Sequence, residues 1–287
     1  MTASLHFILV PLLTSIVLLA VTSYFGIHVL KREIIFIDIA MAQIAILGSA
    51  VAVYLEHALL VDGAMVNNAR FAGTISYTLS LFFCLGAAAM FTILKDARIG
   101  IPIEAFIGIA FAFATTAAVI ILDMAAGADV HLQDMLIGAL LWTSWPQLLR
   151  LAIVCAVIGL FHLIFRGKFM PLSDRYLGTR GLQGKEKFWD FLFYFTFSIV
   201  IVEAVRIAGV LTVFAFLILP ASISALYSTR WGSRIWIGLG AGSLATLLGL
   251  HISVTRDLTV SPLIILFLGV ILVISLMIRR LVPRLRP

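Results

Sequence analysis

The stretch "RIAGVLTVFAFLILPASISALY", residues 206–227, is almost wholly apolar, yet it carries Pro220 deep inside it, Gly209 near its start, and Ser222 and Ser224 just past the proline. Proline lacks a backbone donor, and its ring clashes with the carbonyl four residues earlier. In a central strand it would remove a ladder bond. In a membrane helix it is tolerated, because neighbouring helices and nearby hydroxyls re-satisfy the freed carbonyl. The reading of this stretch therefore turns on whether the chain lives in a bilayer.

Composition answers that. The 287 residues are 62% hydrophobic and 12% charged, whereas a soluble domain carries about 25% charged residues. A membrane-crossing helix needs roughly 20 apolar residues. Apolar runs of about that length recur at 6–27, 34–56, 71–94, 103–125, 135–165, 188–205, 208–228, 235–254 and 260–280. The expected fold is all-α: a polytopic integral membrane protein of about nine transmembrane helices. The first run lacks a basic leader and is followed by a short basic loop, so it reads as a retained helix.

Charge sets the expected orientation. With the N-terminus outside and the C-terminus inside, sixteen of the twenty Lys and Arg residues fall on inner segments, as the positive-inside rule requires. The net charge of +6 thus belongs to the lipid bilayer's inner surface, and nucleic acid is not implied. Cys84 and Cys155 lie in separate spans and read as small buried hydrophobes.

Residues 1–287 read as one transmembrane permease domain whose longest polar stretch is 166–187. The run 135–165 is too long for one straight span. Pro146 disfavours α geometry at Trp145, which predicts a short outer helix near 134–142 and a full span from about 147. One kinked helix is the alternative. Gly238 and Gly242 have GxxxG spacing, which lets backbones approach closely, either within a subunit or between subunits.

Catalytic motifs are missing: the sequence has no HExxH, GxSxG or CxxC. "GLQGKE" has the Gly-Lys pair of a phosphate-binding loop, but Thr179 replaces its first glycine and Glu186 its Ser or Thr. The informative residues are ionisable groups within or at the ends of spans, since an intramembrane carboxylate is costly and usually faces a partner or a water-filled path. Asp38, Glu104, Asp123 and Glu203 are such groups. Glu104 also suits a first helical turn on dipole grounds, and Glu203 could pair with Arg206 three residues on. In the outer connection "GADVHLQD", Asp129, His131 and Asp134 form a donor set for a borderline divalent cation, or simply a solvated loop.

Several of these stretches together resemble the zinc, manganese and iron permeases of ABC importers. "VRIAGVLTVFAFLILPASISALYS" is similar to that family's signature helix, proline included. "IEAFIGIAFAFATTAAVIIL", "LQDMLIGALLW" and "IFIDIAMAQIAILGSAVAVYL" resemble its middle and its second span. The resemblance implies a homodimer with a divalent-metal path between subunits, and a separate cytoplasmic pair of ATP-binding subunits. It also implies an extracytoplasmic metal-binding protein. This chain would bind no cofactor, the metal being cargo and ATP sitting on the partner. Asp38, Gln43, Glu104, Asp123, Glu203 and Pro220 become candidates for the path, and Asp129, His131 and Asp134 for metal entry. Leu172, Asp174, Tyr176, Leu177 and Gly181 become candidates for docking the ATPase, with Leu172, Tyr176 and Leu177 as an apolar edge. One departure is visible: Gln43 stands where the family's second span has His, and Asp38 falls one residue from its acid. The competing readings are a stand-alone secondary cation transporter or antiporter, and a structural subunit of a respiratory complex.

Overall fold

The structure is a computed structural model describing residues 2–59, 69–96, 101–124, 138–175 and 184–281. Among these residues all regular structure is helical. The α-helices are α1 (Thr2–Lys31), α2 (Ile37–Leu59), α3 (Ala69–Asp96), α4 (Ile103–Met124), α5 (Trp145–Ile164) and α6 (Arg166–Asp174). They continue with α7 (Lys185–Ala208), α8 (Val210–Tyr227), α9 (Trp231–Arg256) and α10 (Val260–Leu281). All but α6 are long and apolar enough to cross a membrane, which makes nine such helices among the described residues. They match the nine apolar runs, although α1 extends beyond the expected residue 27 to Lys31.

The expected interruption before α5 is present, but its form differs. Gly138 has φ 73° and Ala139 φ −116°, so neither is helical. Only a 3-10 turn, Leu140–Trp142, precedes the break. A helix over 134–142 is therefore not formed across 138–142, and residues 134–137 lie outside the described part. Helix α5 starts at Trp145 with Pro146 in its first turn, where the missing N–H has no intrahelical partner to lose. Gln147 Oε1 closes the start by accepting from the Ser144 N–H at 2.8 Å and its hydroxyl at 2.9 Å.

The chain folds as two compact units. The first holds α1, the 3-10 turn, α5, α6, the last residues of α7, and α8 to α10. Its core depends on missing side chains. A Cβ on Gly26 of α1 would overlap the Leu217 carbonyl oxygen of α8, so the two backbones touch there. Gly238 of α9 leaves 3.3 Å between such a Cβ and the Pro220 carbonyl oxygen, and 3.2 Å to Ser23 Oγ. Gly242 faces the Leu19 side chain, and Gly249 packs on Ile264 of α10. The GxxxG pair of α9 is therefore used inside the chain, against α1 and α8, rather than at a subunit contact. Asp257 ends α9 in the left-handed conformation, φ 54°, and Ser253 Oγ donates to Leu258 O at 2.5 Å to hold the turn into α10.

The second unit holds α2, α3, α4 and α7 up to Glu203. Helix α2 is its centre. A Cβ on Gly48 would lie 2.8 Å from Leu79 O of α3, and the close approach is stitched by side chains. Ser80 Oγ donates to Ala45 O at 2.7 Å, Ser49 and Ser76 hydroxyls meet at 2.7 Å, and Ser198 of α7 contacts Met41 Sδ at 3.8 Å. Small residues and hydroxyls supply the attraction because apolar side chains gain little by leaving lipid for one another.

Candidate functional site

Helix α8, the segment first quoted, is bounded and its hydrogen-bond ladder interrupted by identifiable devices. Gly209 separates it from α7 with φ 78° and ψ 160°, a conformation open essentially to glycine alone. The break is clamped: Ala139 N–H donates to Ile207 O at 3.2 Å. A Cβ on Gly138 would overlap the Ala208–Gly209 peptide. Eleven residues after Gly209, buried Pro220 removes the bond that Phe216 O would otherwise receive, the usual origin of a helix bend. Past the bend, Ser224 Oγ donates to Ala221 O at 2.8 Å, and Arg234 of α9 reaches the same carbonyl with Nη2 at 3.2 Å and Ser224 Oγ with Nε at 3.4 Å. Arg234 is 7% exposed, so its guanidinium ties α9 to the far half of α8.

The candidate acids divide by burial. Asp38 and Gln43 on α2 are buried, at 2% and 6% exposure, and Asp38 Oδ1 accepts no hydrogen bond. Glu203, near the end of α7, is buried as well. A further buried acid of the same unit, Asp190 in the second turn of α7, is not singled out by the sequence because it closely follows the basic Lys185 and Lys187. By contrast Glu104 and Asp123 are exposed at the two ends of α4. Glu104 sits in the first turn, two residues after Pro102, the position that the helix dipole favours. Asp129, His131 and Asp134 lie outside the described residues. No three His, Cys, Asp or Glu side chains gather among the described ones.

A second cluster adds residues that the sequence did not single out. Tyr24 and His28 lie on one face of α1, and Arg32, four residues on and just past its end, continues that spacing through its N–H bond to His28 O at 2.9 Å. His28 Nδ1 lies 2.7 Å from Ser173 Oγ of α6, and Arg32 Nε donates to the same hydroxyl at 2.7 Å. Arginine can only donate, so Ser173 Oγ accepts there. Tyr24 OH is 3.1 Å from His162 Nδ1 on α5, and the His162 ring stacks on Phe169 of α6 with centroids 4.1 Å apart. Trp231 closes the group, 4.6 Å from the His28 ring and with Lys31 Nζ over its face at 4.6 Å. Lys31 also pairs with Asp174. That pair is half-exposed and contributes little, whereas losing one partner of a buried hydrogen bond costs about 1–3 kcal/mol. His28, Arg32 and Ser173 are all at most 1% exposed. The four-residue spacing of polar groups at the end of an apolar run is the available signal.

The same cluster reorients α6. Leu172 is 8% exposed and packs inward with Phe169, so it offers no apolar edge to a partner. Lys168, Pro171 and Arg175 form the outward surface instead, and Asp174 turns to Lys31 at its edge. Tyr176, Leu177 and Gly181 lie outside the described residues.

Nine membrane-length helices among the described residues, with a proline inside α8 and a short polar helix tied to the end of α1, define a polytopic helical membrane protein. The chain belongs to the ABC 3 transport family, whose sequence model matches residues 4–279. It is 24% identical to the manganese import system permease protein ScaB of Streptococcus gordonii over 94% of this chain and 90% of that one. It is 21% identical to a probable metal transport system membrane protein of Chlamydia trachomatis over 89% and 83%. The match to a similarly described protein of Chlamydia muridarum spans about half of each chain, 52% and 51%, at 27% identity. Among solved structures, PsaBC from Streptococcus pneumoniae in complex with Fab superimposes with a TM-score of 0.73, covering 94% of this chain and 91% of that one at 23% identity. Family and fold together make this a multi-pass protein of a bacterial cytoplasmic membrane, and a transport component rather than an enzyme.

Proposed function

We propose that this chain is the permease subunit of an ABC importer for a divalent metal, with manganese its principal cargo. It works as a homodimer with two cytoplasmic ATP-hydrolysing subunits and an extracytoplasmic metal-binding protein, its N-terminus outside and its C-terminus inside. The observation that carries this reading is the family match over residues 4–279. The cargo follows from relatives described as manganese permeases, among them the ScaB proteins and MntB of Synechocystis, with an iron system of Haemophilus influenzae beside them.

The chemistry of the buried groups supports it. Asp38 and Gln43 present oxygen donors on α2, and oxygen-rich sets suit Mn²⁺ better than softer ions. A buried carboxylate with an oxygen that accepts no hydrogen bond is expensive unless a cation or water visits it. Asp123, exposed at the end of α4, raises local cation concentration at one mouth of the path. Pro220 leaves the two halves of α8 joined by fewer hydrogen bonds, so they pivot as the path opens alternately. The outward surface of α6 docks the ATPase.

The test is uptake by vesicles holding the purified permease, its ATPase and ATP, supplied with the loaded binding protein and Mn²⁺, Fe²⁺ or Zn²⁺. ATP-dependent uptake with Mn²⁺ strongest is expected. Equal uptake without the ATPase would mean a stand-alone secondary transporter.

A further inference from the structure

Helix α6 is too short to cross a membrane, yet its inward side is fastened to longer helices. His28 of α1 and Arg32, just past its end, share Ser173 Oγ, both at 2.7 Å. His162 of α5 stacks on Phe169, and Tyr24 of α1 joins His162. Lys31 binds Asp174 at the edge. One side chain of α1 and one just past its end converge on one buried hydroxyl, and Tyr24 of α1 reaches α6 through the stacked imidazole. Rotating or sliding α6 against α1 breaks several buried polar contacts together. Within one turn of His28, Gly26 brings the α1 backbone onto Leu217 O and Ala221 of α8, either side of Pro220. That contact is backbone to backbone on one side, with no flexible side chain to absorb displacement.

We propose that α6 and the inner end of α1 move as one body, latched by His28, Arg32 and Ser173, and that α1 delivers the motion of α6 to the bend of α8 at Pro220. The proposal rests on the reading of α6 as the ATPase-docking element and adds which helix receives the stroke. Ser173 is the coupling residue, and Gly26 is the point of delivery. The ion pair between Lys31 and Asp174 guards the latch from the solvent side.

The experiment uses the complete reconstituted complex and measures metal imported per ATP hydrolysed. Ser173→Ala should leave ATPase copurification and hydrolysis intact and lower that ratio about fivefold, the factor that one typical lost hydrogen bond corresponds to. Ser173→Thr, which keeps the hydroxyl, should restore it. An unchanged ratio in Ser173→Ala overturns the proposal. A tether gives a measurement that does not depend on how well that variant folds. Lys31→Cys and Asp174→Cys are joined by a short thiol-reactive cross-linker; the native Cys84 and Cys155 are buried. A latch that moves as one body predicts import at the untethered rate, and import that stops while ATP is still hydrolysed overturns it. If the unmodified complex hydrolyses ATP but carries none of the three metals, the proposed cargo fails. The latch is then read from spin labels at Gly167, exposed and with open space around it, and Glu33, whose separation must be the same with and without trapped nucleotide; a changed separation overturns it.

Discussion

Gly26 of α1 lies so close to the carbonyl oxygen of Leu217 of α8 that a single added carbon would overlap it. The neighbouring atom is backbone in a buried helix, so nothing nearby yields cheaply. Gly26→Ala is therefore expected to force α1 and α8 apart and lower stability by about 1–3 kcal/mol, the usual cost of overpacking. Gly240 of α9 is the control, since an added Cβ there meets nothing within 4 Å. Gly240→Ala should be neutral or stabilising by up to about 1 kcal/mol through helix propensity. Thermal unfolding of the two purified variants in detergent separates them, and equal Tm values would show that the α1–α8 contact is looser than described.

Gly209 makes a second backbone prediction. Its φ of 78° and ψ of 160° suit no L side chain, so Gly209→Ala carries strain of about 1–3 kcal/mol. The loss should spread to the Ala139 N–H bond to Ile207 O, which depends on the same break. Faster hydrogen exchange at Ala139 in the variant, with exchange in α10 unchanged, is the expected pattern.

Asp38 separates charge from shape. It is buried and its Oδ1 accepts no hydrogen bond, so Asp38→Asn removes charge while keeping volume. Expression and Tm should change little. Uptake at limiting Mn²⁺ should fall about tenfold or more, the scale seen when groups that tune a metal site are removed. Full uptake in Asp38→Asn would take this residue off the path.

For α6, the two sides of one short helix should respond differently. Lys168→Glu with Arg175→Glu alters its outward surface and should abolish copurification of the ATPase, leaving Tm unchanged. Leu172→Ala removes an inward side chain, costing about 2–5 kcal/mol as buried leucines do, and should lower Tm first.

Orientation is checked at the two ends of α9, where both positions are exposed. In intact cells Thr259→Cys should react with an impermeant thiol reagent and Ser233→Cys should not. The reverse pattern would turn the permease over.

What the residues of this chain determined alone was most of what is local, although the short helix expected near 134–142 gives way to a 3-10 turn at Leu140–Trp142. Nine apolar runs specify nine helices, because an unpaired backbone cannot face lipid and each run is long enough to satisfy its own. Pro220 and Pro146 mark the bend of α8 and the start of α5, because a missing N–H acts within one turn of itself. The tertiary structure decided which surfaces face inward, and that depends on partners far away in the chain. Gly238 and Gly242 announce close approach by their spacing, but only packing shows that α1 and Pro220 fill the gap rather than a second subunit. Leu172 reads as an edge for a partner until Phe169 and its neighbours bury it. The face formed by Tyr24, His28 and Arg32 is a visible stripe of polar groups, yet its meaning lies in Ser173, 145 residues beyond His28. A hydrogen bond of 2.7 Å between such residues is set by how helices pack, and no periodicity within either helix encodes it.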